Sequence, residues 1–395
     1  MGHVAILLPI AEALRDAGHE PVFAVSDVKD AKLLLKDKGI PVYQAPYIPP
    51  KSSAQHKNIT THTLADIYHY AGYTKSDLLL ALSKAWQDLL EKIKPDLVIN
   101  EFAPTLALVT LSVIPTLTVG TGYSTPPLGR SMPAIRFWKK ELPLDSILRE
   151  KDMLITINNI RKSLTLPPIM HFSDLFGGEA QLVTTYPVLD CYRAYRQRPA
   201  IGPLNQALYR HDISLYNYRE RRGFVYLNAT LANLPLIIQG IKDSGLYCEA
   251  YIRGLSEEKR QEYSNPDFVI HTTTQALHEV LPYISLYIHH GGISSSELCL
   301  RYGTPQLILA NHLEQRVNGS NIAQLGVGIL LVPSQLKESQ HITKAIASLI
   351  DPPVYKVRAR HIAQQLEQRY PVNPLAQVMD SCVHWLQQPS SRKVL

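Results

Sequence analysis

Short runs of β-branched and aliphatic residues alternate along this chain with longer stretches in which apolar residues recur every three to four positions. A strand buried on both faces is apolar at nearly every position, whereas a helix lying on a sheet shows one apolar stripe. The alternation therefore predicts parallel sheets covered by helices on both faces. In the first half the strands are expected at 21–25, 41–44, 96–100 and 115–119, with helices near 5–17, 28–38, 75–93 and 104–113. The stretch 121–171 mixes prolines and aromatics without a clear period, and is expected to form loops and short helices over a cleft. The second half restarts the pattern, with strands expected at 224–227, 246–252, 268–271, 286–289, 306–309 and 328–332. A last helix near 373–387 carries Trp385 and Leu386.

With 395 residues the chain is too long for one ordinary core and predicts two domains. They are expected at 1–200 and 223–370, joined by an Arg-, Tyr- and Pro-rich connection at 201–222, with 371–395 packing back on the first. The net charge of +6 is spread over scattered Lys and Arg, which is no footprint for nucleic acid. No run approaches the length of a transmembrane helix. The apolar start, Val4 to Ile10, runs into Glu12, Arg15 and Asp16 and reads as an amphipathic helix rather than a signal peptide. Cys191, Cys248, Cys299 and Cys382 lie far apart, which argues against a disulfide framework and makes a reducing cytoplasm the expected setting. His56, His62, His69 and His171 are dispersed and suit surface or packing roles better than metal binding.

The chemistry concentrates between Tyr287 and Leu330. An apolar strand ends at His289-His290-Gly291-Gly292, and Ile293-Ser294-Ser295-Ser296-Glu297 opens a helix. Glycines at a strand–helix junction let backbone approach a ligand, and the helix start offers free N–H groups and positive dipole. A diphosphate suits such a place; the plain alternative is a tight turn with serine capping. Gly303-Thr304-Pro305 then begins another strand, Glu314-Gln315 and Asn318 follow it, and Gly326-Val327-Gly328 leads into the next. A carboxylate–amide pair at a strand end suits hydrogen bonding to sugar hydroxyls.

This succession resembles the donor-binding signature of the glycosyltransferase family that includes UDP-glycosyltransferases and bacterial macrolide and antibiotic glycosyltransferases. The resemblance extends to the first half through Gly2-His3-Val4, Ala17-Gly18-His19-Glu20, Lys94-Pro95-Asp96-Leu97-Val98 and Glu101-Phe102-Ala103-Pro104-Thr105. Gly120-Thr121-Gly122-Tyr123 with Pro126-Pro127 is closest to an uncharacterised bacterial branch. It implies the GT-B fold, two Rossmann-like domains with parallel sheets facing across a cleft. It implies an inverting hexosyltransferase using a UDP- or dTDP-sugar as co-substrate, with no cofactor and no metal, and a small hydrophobic acceptor. By resemblance His290, Gly291, Gly292, Ser294, Ser295 and Asn318 meet the diphosphate, and Glu314 and Gln315 hold the donor sugar. Leu298 stands where many members carry a ribose-binding Glu, with Glu297 beside it, and no tryptophan lies near 274–278 to stack on the base.

The same resemblance makes His3 the general base and Glu101 its orienting partner, a Glu in place of the more usual Asp. An imidazole has a pKa suited to taking a hydroxyl proton, and a carboxylate on its other nitrogen fixes the tautomer. In the family an apolar strand and glycine-rich turn precede the glycine-histidine pair, so the first sheet is expected to lack that strand. A non-catalytic nucleotide-sugar-binding protein and a nucleotide-sugar epimerase or hydrolase are the competing expectations. Tyr68, Tyr70, Tyr73 and Trp86 suit either an acceptor cleft or helix packing, and the oligomeric state is not legible.

Overall fold

The computed structural model describes residues 2–48, 60–139, 141–209 and 221–388. Half of the expected connection (210–220), His56 and the last residues of the expected final segment lie outside them. The chain divides into two compact units: unit 1 comprises Met1–Leu204 and Pro374–Leu395, and unit 2 comprises Asn205–Asn373.

Unit 2 is built on six parallel strands: β6 (Arg222–Asn228), β7 (Tyr247–Arg253), β8 (Phe268–Ile270), β9 (Leu286–His289), β10 (Gln306–Leu309) and β11 (Gly328–Leu331). Their order across the sheet is β11-β10-β9-β6-β7-β8. The chain winds outward from β6 to one edge, returns to β9 beside β6, and winds out to the other edge. This is the doubly wound arrangement, and its reversal lies between β6 and β9. One face packs Val225, Ile237, Ile241, Ile288, Leu307 and Ile346 into a closed apolar layer. The other face carries Phe224, Tyr287, Leu298 and Tyr302. Every residue of β9 and β10 is buried, as a strand covered on both faces requires.

Unit 1 holds two separate parallel ladders, β1 (Phe23–Val25) with β2 (Val42–Gln44), and β3 (Val98–Asn100), β4 (Thr116–Gly120) and β5 (Ala180–Val183) in that order. The helix Gly2–Asp16 serves both: Ile10 and Leu14 join the apolar cluster over β4, Val4 and Ala11 join the one over β1, and Leu7 touches each. The helix Leu375–Leu386 packs on the first helix and puts Val378 and Cys382 into the same cluster as Ile10. All four cysteines are buried and unbridged.

The stretch 121–171 departs from expectation, because it contains a 20-residue helix, Leu144–Ser163. Its inward face carries Glu150 and Arg161, while Leu144, Leu148 and Ile155 face solvent, so its amphipathic stripe is scrambled. Each inward polar group has a task. Glu150 accepts the backbone N–H of Met132. Arg161, fully buried, donates to the carbonyls of Leu108, Leu111 and Pro167. Two of these carbonyls end the helix Pro104–Thr110, where a cation complements the dipole. Burial alone pulls the guanidinium pKa down. Arg161→Met is expected to lower unit 1 stability by about 3–5 kcal/mol, since it orphans three buried acceptors. The first thermal transition should fall by several degrees; an unchanged transition would mean that water takes over the carbonyls.

Candidate functional site

Ligands of doubly wound sheets bind beyond the carboxyl ends of the strands at the reversal point. In unit 2 those ends are Asn228 on β6 and His289 on β9, and β9 runs straight into His290-Gly291-Gly292. Gly291 adopts φ +88, and a Cβ there would meet Ile308 Cγ2 at 2.7 Å and the Gln315 carbonyl at 3.0 Å. Only glycine fits. Gly292 has open space around it and caps the helix Ile293–Tyr302, whose start has no side-chain cap. The first-turn amides are therefore offered outward, next to an exposed Ser294.

His290 has both ring nitrogens buried and without a well-formed hydrogen bond; only the Leu309 carbonyl is placed to favour a ring proton. Burial, with a contribution from His312, holds its pKa below the usual histidine value, so it is a neutral imidazole near pH 7. Buried polar atoms without partners are rare in folded proteins and mark places where a ligand atom fits.

The remaining sequence-predicted residues divide by what they touch. The Gly291 N–H donates to His289 Nδ1 at 3.1 Å, and Asn318 Nδ2 donates to the Gly291 carbonyl at 3.0 Å. Both polar groups of Gly291 are thus occupied, and Asn318 holds the turn. The Ser295 side chain hydrogen-bonds Tyr287 in the core. Glu314 and Gln315 open the helix Leu313–Gln324 just beyond β10, and Gln315 Oε1 accepts the Asn311 N–H at 2.8 Å. Leu298 is buried among Phe224, Tyr287 and Tyr302, while Glu297 adds to the burial that raises the Tyr209 pKa.

In unit 1, β3 ends at Asn100, whose Oδ1 caps the next turn by accepting the Ala103 N–H. Glu101 follows with its side chain 1% exposed, and its Oε2 lies 2.5 Å from His3 Nδ1. A Cβ on Gly120 would meet Ser124 Oγ at 2.4 Å and Thr125 Cγ2 at 3.1 Å before reaching Glu101 Oε1 at 3.3 Å, so the glycine lets the turn after β4 close down beside the carboxylate. The Phe102 ring stacks on the His3 imidazole with centroids 5.6 Å apart, and Tyr68 and Tyr123 flank Phe102. Tyr73 and Trp86 are buried helix-packing residues, the latter donating to Thr105 Oγ1. Sequence reasoning named Phe102, Gly120 and His289 as parts of motifs but gave none of them a role of its own. Among the described residues no group of three or more His, Cys, Asp or Glu could hold a metal, and no helix is long and apolar enough to cross a membrane.

A doubly wound sheet with an open-ended glycine turn at its reversal point is an arrangement that nucleotide-binding proteins use, and the comparisons narrow the class. Residues 250–381 match the family described as erythromycin biosynthesis protein CIII-like, C-terminal domain. A 10-deoxymethynolide desosaminyltransferase of Streptomyces venezuelae is 28% identical over 112 residues, which is 28% of this chain and 26% of that one. The match thus spans about a quarter of that curated relative. The glycosyltransferase VinC in complex with dTDP superposes with TM-score 0.64 at 16% identity, covering 98% of this chain and 97% of that one. A spinosyn rhamnosyltransferase complexed with spinosyn aglycone gives TM-score 0.64 at 16% identity, over 96% of each chain. The chain has the GT-B fold, and residues 250–381 are similar to the erythromycin biosynthesis protein CIII-like C-terminal domain.

Proposed function

We propose that the protein is an inverting glycosyltransferase that moves a hexose from a dTDP- or UDP-sugar to a hydroxyl of a small hydrophobic acceptor. The observation that carries this reading is the half-buried His290, whose ring nitrogens are buried without a well-formed hydrogen bond, beside the open amides of Gly292 and the following turn, at the reversal point of the unit 2 sheet. In this reading the diphosphate accepts hydrogen bonds from His290, from the amides after Gly291 and from Ser294. Gly291 and Asn318 shape the turn, and Glu314 and Gln315 address the sugar. The relative complexed with dTDP favours that nucleotide.

In unit 1, Glu101 Oε2 lies 2.5 Å from His3 Nδ1, and in this reading the carboxylate accepts a hydrogen bond from Nδ1 and leaves Nε2 for the acceptor. The acceptor oxygen attacks the anomeric carbon, its proton passes to His3 Nε2, and the bond to the diphosphate breaks. Buried Glu101 stabilises the imidazolium that forms. Phe102 and Tyr123 offer an aromatic surface beside the base, which suits an apolar acceptor. The relative complexed with an aglycone supports this acceptor class.

Isothermal titration with dTDP and with UDP tests the donor site. His290→Ala is expected to weaken the preferred nucleotide about 10–100-fold, the worth of one hydrogen bond to a charged group. A folded chain that binds neither nucleotide, or binds equally well without His290, would overturn the reading.

A further inference from the structure

His289 precedes the histidine that the donor reading uses, and its side chain turns the opposite way, into the sheet. It is 1% exposed, and its ring stacks on Tyr287 with centroids 4.6 Å apart. Its direct partner on β10 is Ile308, so Gln306, two residues earlier on the same face, is its diagonal neighbour. There His289 Nε2 and Gln306 Oε1 lie 3.0 Å apart. On the other side of the ring, Nδ1 lies 3.1 Å from the Gly291 nitrogen. A backbone nitrogen can only donate, so Nδ1 is the unprotonated nitrogen and Nε2 carries the proton given to Gln306. The two bonds fix one tautomer and one ring orientation.

We propose that His289 is a positioning residue for the donor site: its Nδ1 holds the Gly291 N–H and thereby sets the turn that presents His290 and the Gly292 amide. This inference rests on the donor-site reading. Gly291 sits at φ +88 and is gripped from both sides, by His289 on its N–H and by Asn318 on its carbonyl. With both groups occupied, Gly291 gives no hydrogen bond to a ligand; it acts as a pivot. Releasing its N–H leaves the peptide unit before it free to rotate, and that unit carries the His290 carbonyl. A rotated peptide moves the imidazole and the helix start relative to each other, and a diphosphate that must meet both loses one. His289 thus controls affinity without touching the nucleotide.

The test uses two polar replacements of similar size in the full chain. Asparagine places an acceptor oxygen near the Nδ1 position and can keep the Gly291 bond; glutamine reaches the Nε2 position and keeps only the Gln306 contact. His289→Asn is expected to bind dTDP within about threefold of the natural chain, and His289→Gln to bind at least tenfold more weakly. Hydrogen exchange at the Gly291 amide is expected to be slow in the natural chain and His289→Asn, and fast in His289→Gln. Equal dTDP binding by the two variants, or equally slow exchange, would overturn the proposal. If the natural chain binds no dTDP, the donor reading falls, while the exchange rates still report whether His289 holds the turn.

Discussion

His3→Ala and Glu101→Gln are each expected to cut glycosyl transfer by about 10²–10⁴-fold, the usual contribution of a positioned general base, while leaving dTDP affinity unchanged. The first change removes the proton acceptor. The second keeps the shape but leaves the imidazolium beside a neutral partner, so the charge that stabilises it from the buried side is lost. The prediction rests on three observations that support one another. The Glu101 side chain is buried, its Oε2 lies 2.5 Å from His3 Nδ1, and Phe102 stacks on the imidazole face. Phe102 itself sits at φ +52, a conformation that bulky residues rarely adopt. The measurement is initial rate with a dTDP-sugar across a panel of hydroxylated apolar acceptors, beside nucleotide titration of each variant. A His3→Ala chain that transfers at the natural rate would remove the base assignment, and with it the role given to Glu101.

Unit 2 was legible in the sequence largely because β9 and β10, which lead into the glycine turn and the Glu314-Gln315 segment, are buried on both faces. An apolar run such as Leu286–His289 or Gln306–Leu309 then has only one reading, and the glycines after it mark the turn. The same rule fails where burial and polarity part company. The helix Leu144–Ser163 carries Glu150 and Arg161 inward to satisfy backbone groups of other segments, and leaves Leu148 and Ile155 in solvent. No apolar period survives that exchange. β5 was missed for a related reason: Ala180–Val183 is short and follows Gly178, whose φ of +126 lets its backbone press on Thr116.

At the site, sequence supplied residues but not their division of labour. His289 and His290 are neighbours of identical type, and only the strand's alternation separates them. One side chain goes into the sheet and bonds Gln306 and Gly291; the other stays at the strand end without a well-formed hydrogen bond. Asn318 and Ser295 read alike as phosphate donors, yet one reaches the Gly291 carbonyl and the other Tyr287. The motif names the residues of the turn, and packing decides what each of them already holds.

The burial of His289 has a consequence for unit 2 that is large enough to measure. Burial lowers its pKa to about 3, against 6.5 for an unhindered imidazole. Between those values the unfolded chain takes up a proton that the folded one refuses, so stability is fully present above pH 6.5 and falls as the pH drops. The slope is about 1.4 kcal/mol per pH unit, and the full window amounts to roughly 4–5 kcal/mol, comparable with the lower range of whole-domain stabilities. Protonation would also end the Nδ1 bond to Gly291, so loss of the turn should accompany loss of stability. Carboxylates titrate in the same window, but they do so equally in a His289→Asn chain. The expected result is therefore a difference: at neutral pH the natural chain is the more stable of the two, and its advantage shrinks by about 1.4 kcal/mol for each unit below pH 6. Denaturant unfolding of the unit 2 transition at several pH values reads this directly. Parallel pH profiles for the two chains would mean that His289 protonates freely in the folded protein, and that the neutral, doubly bonded ring is not what holds the turn.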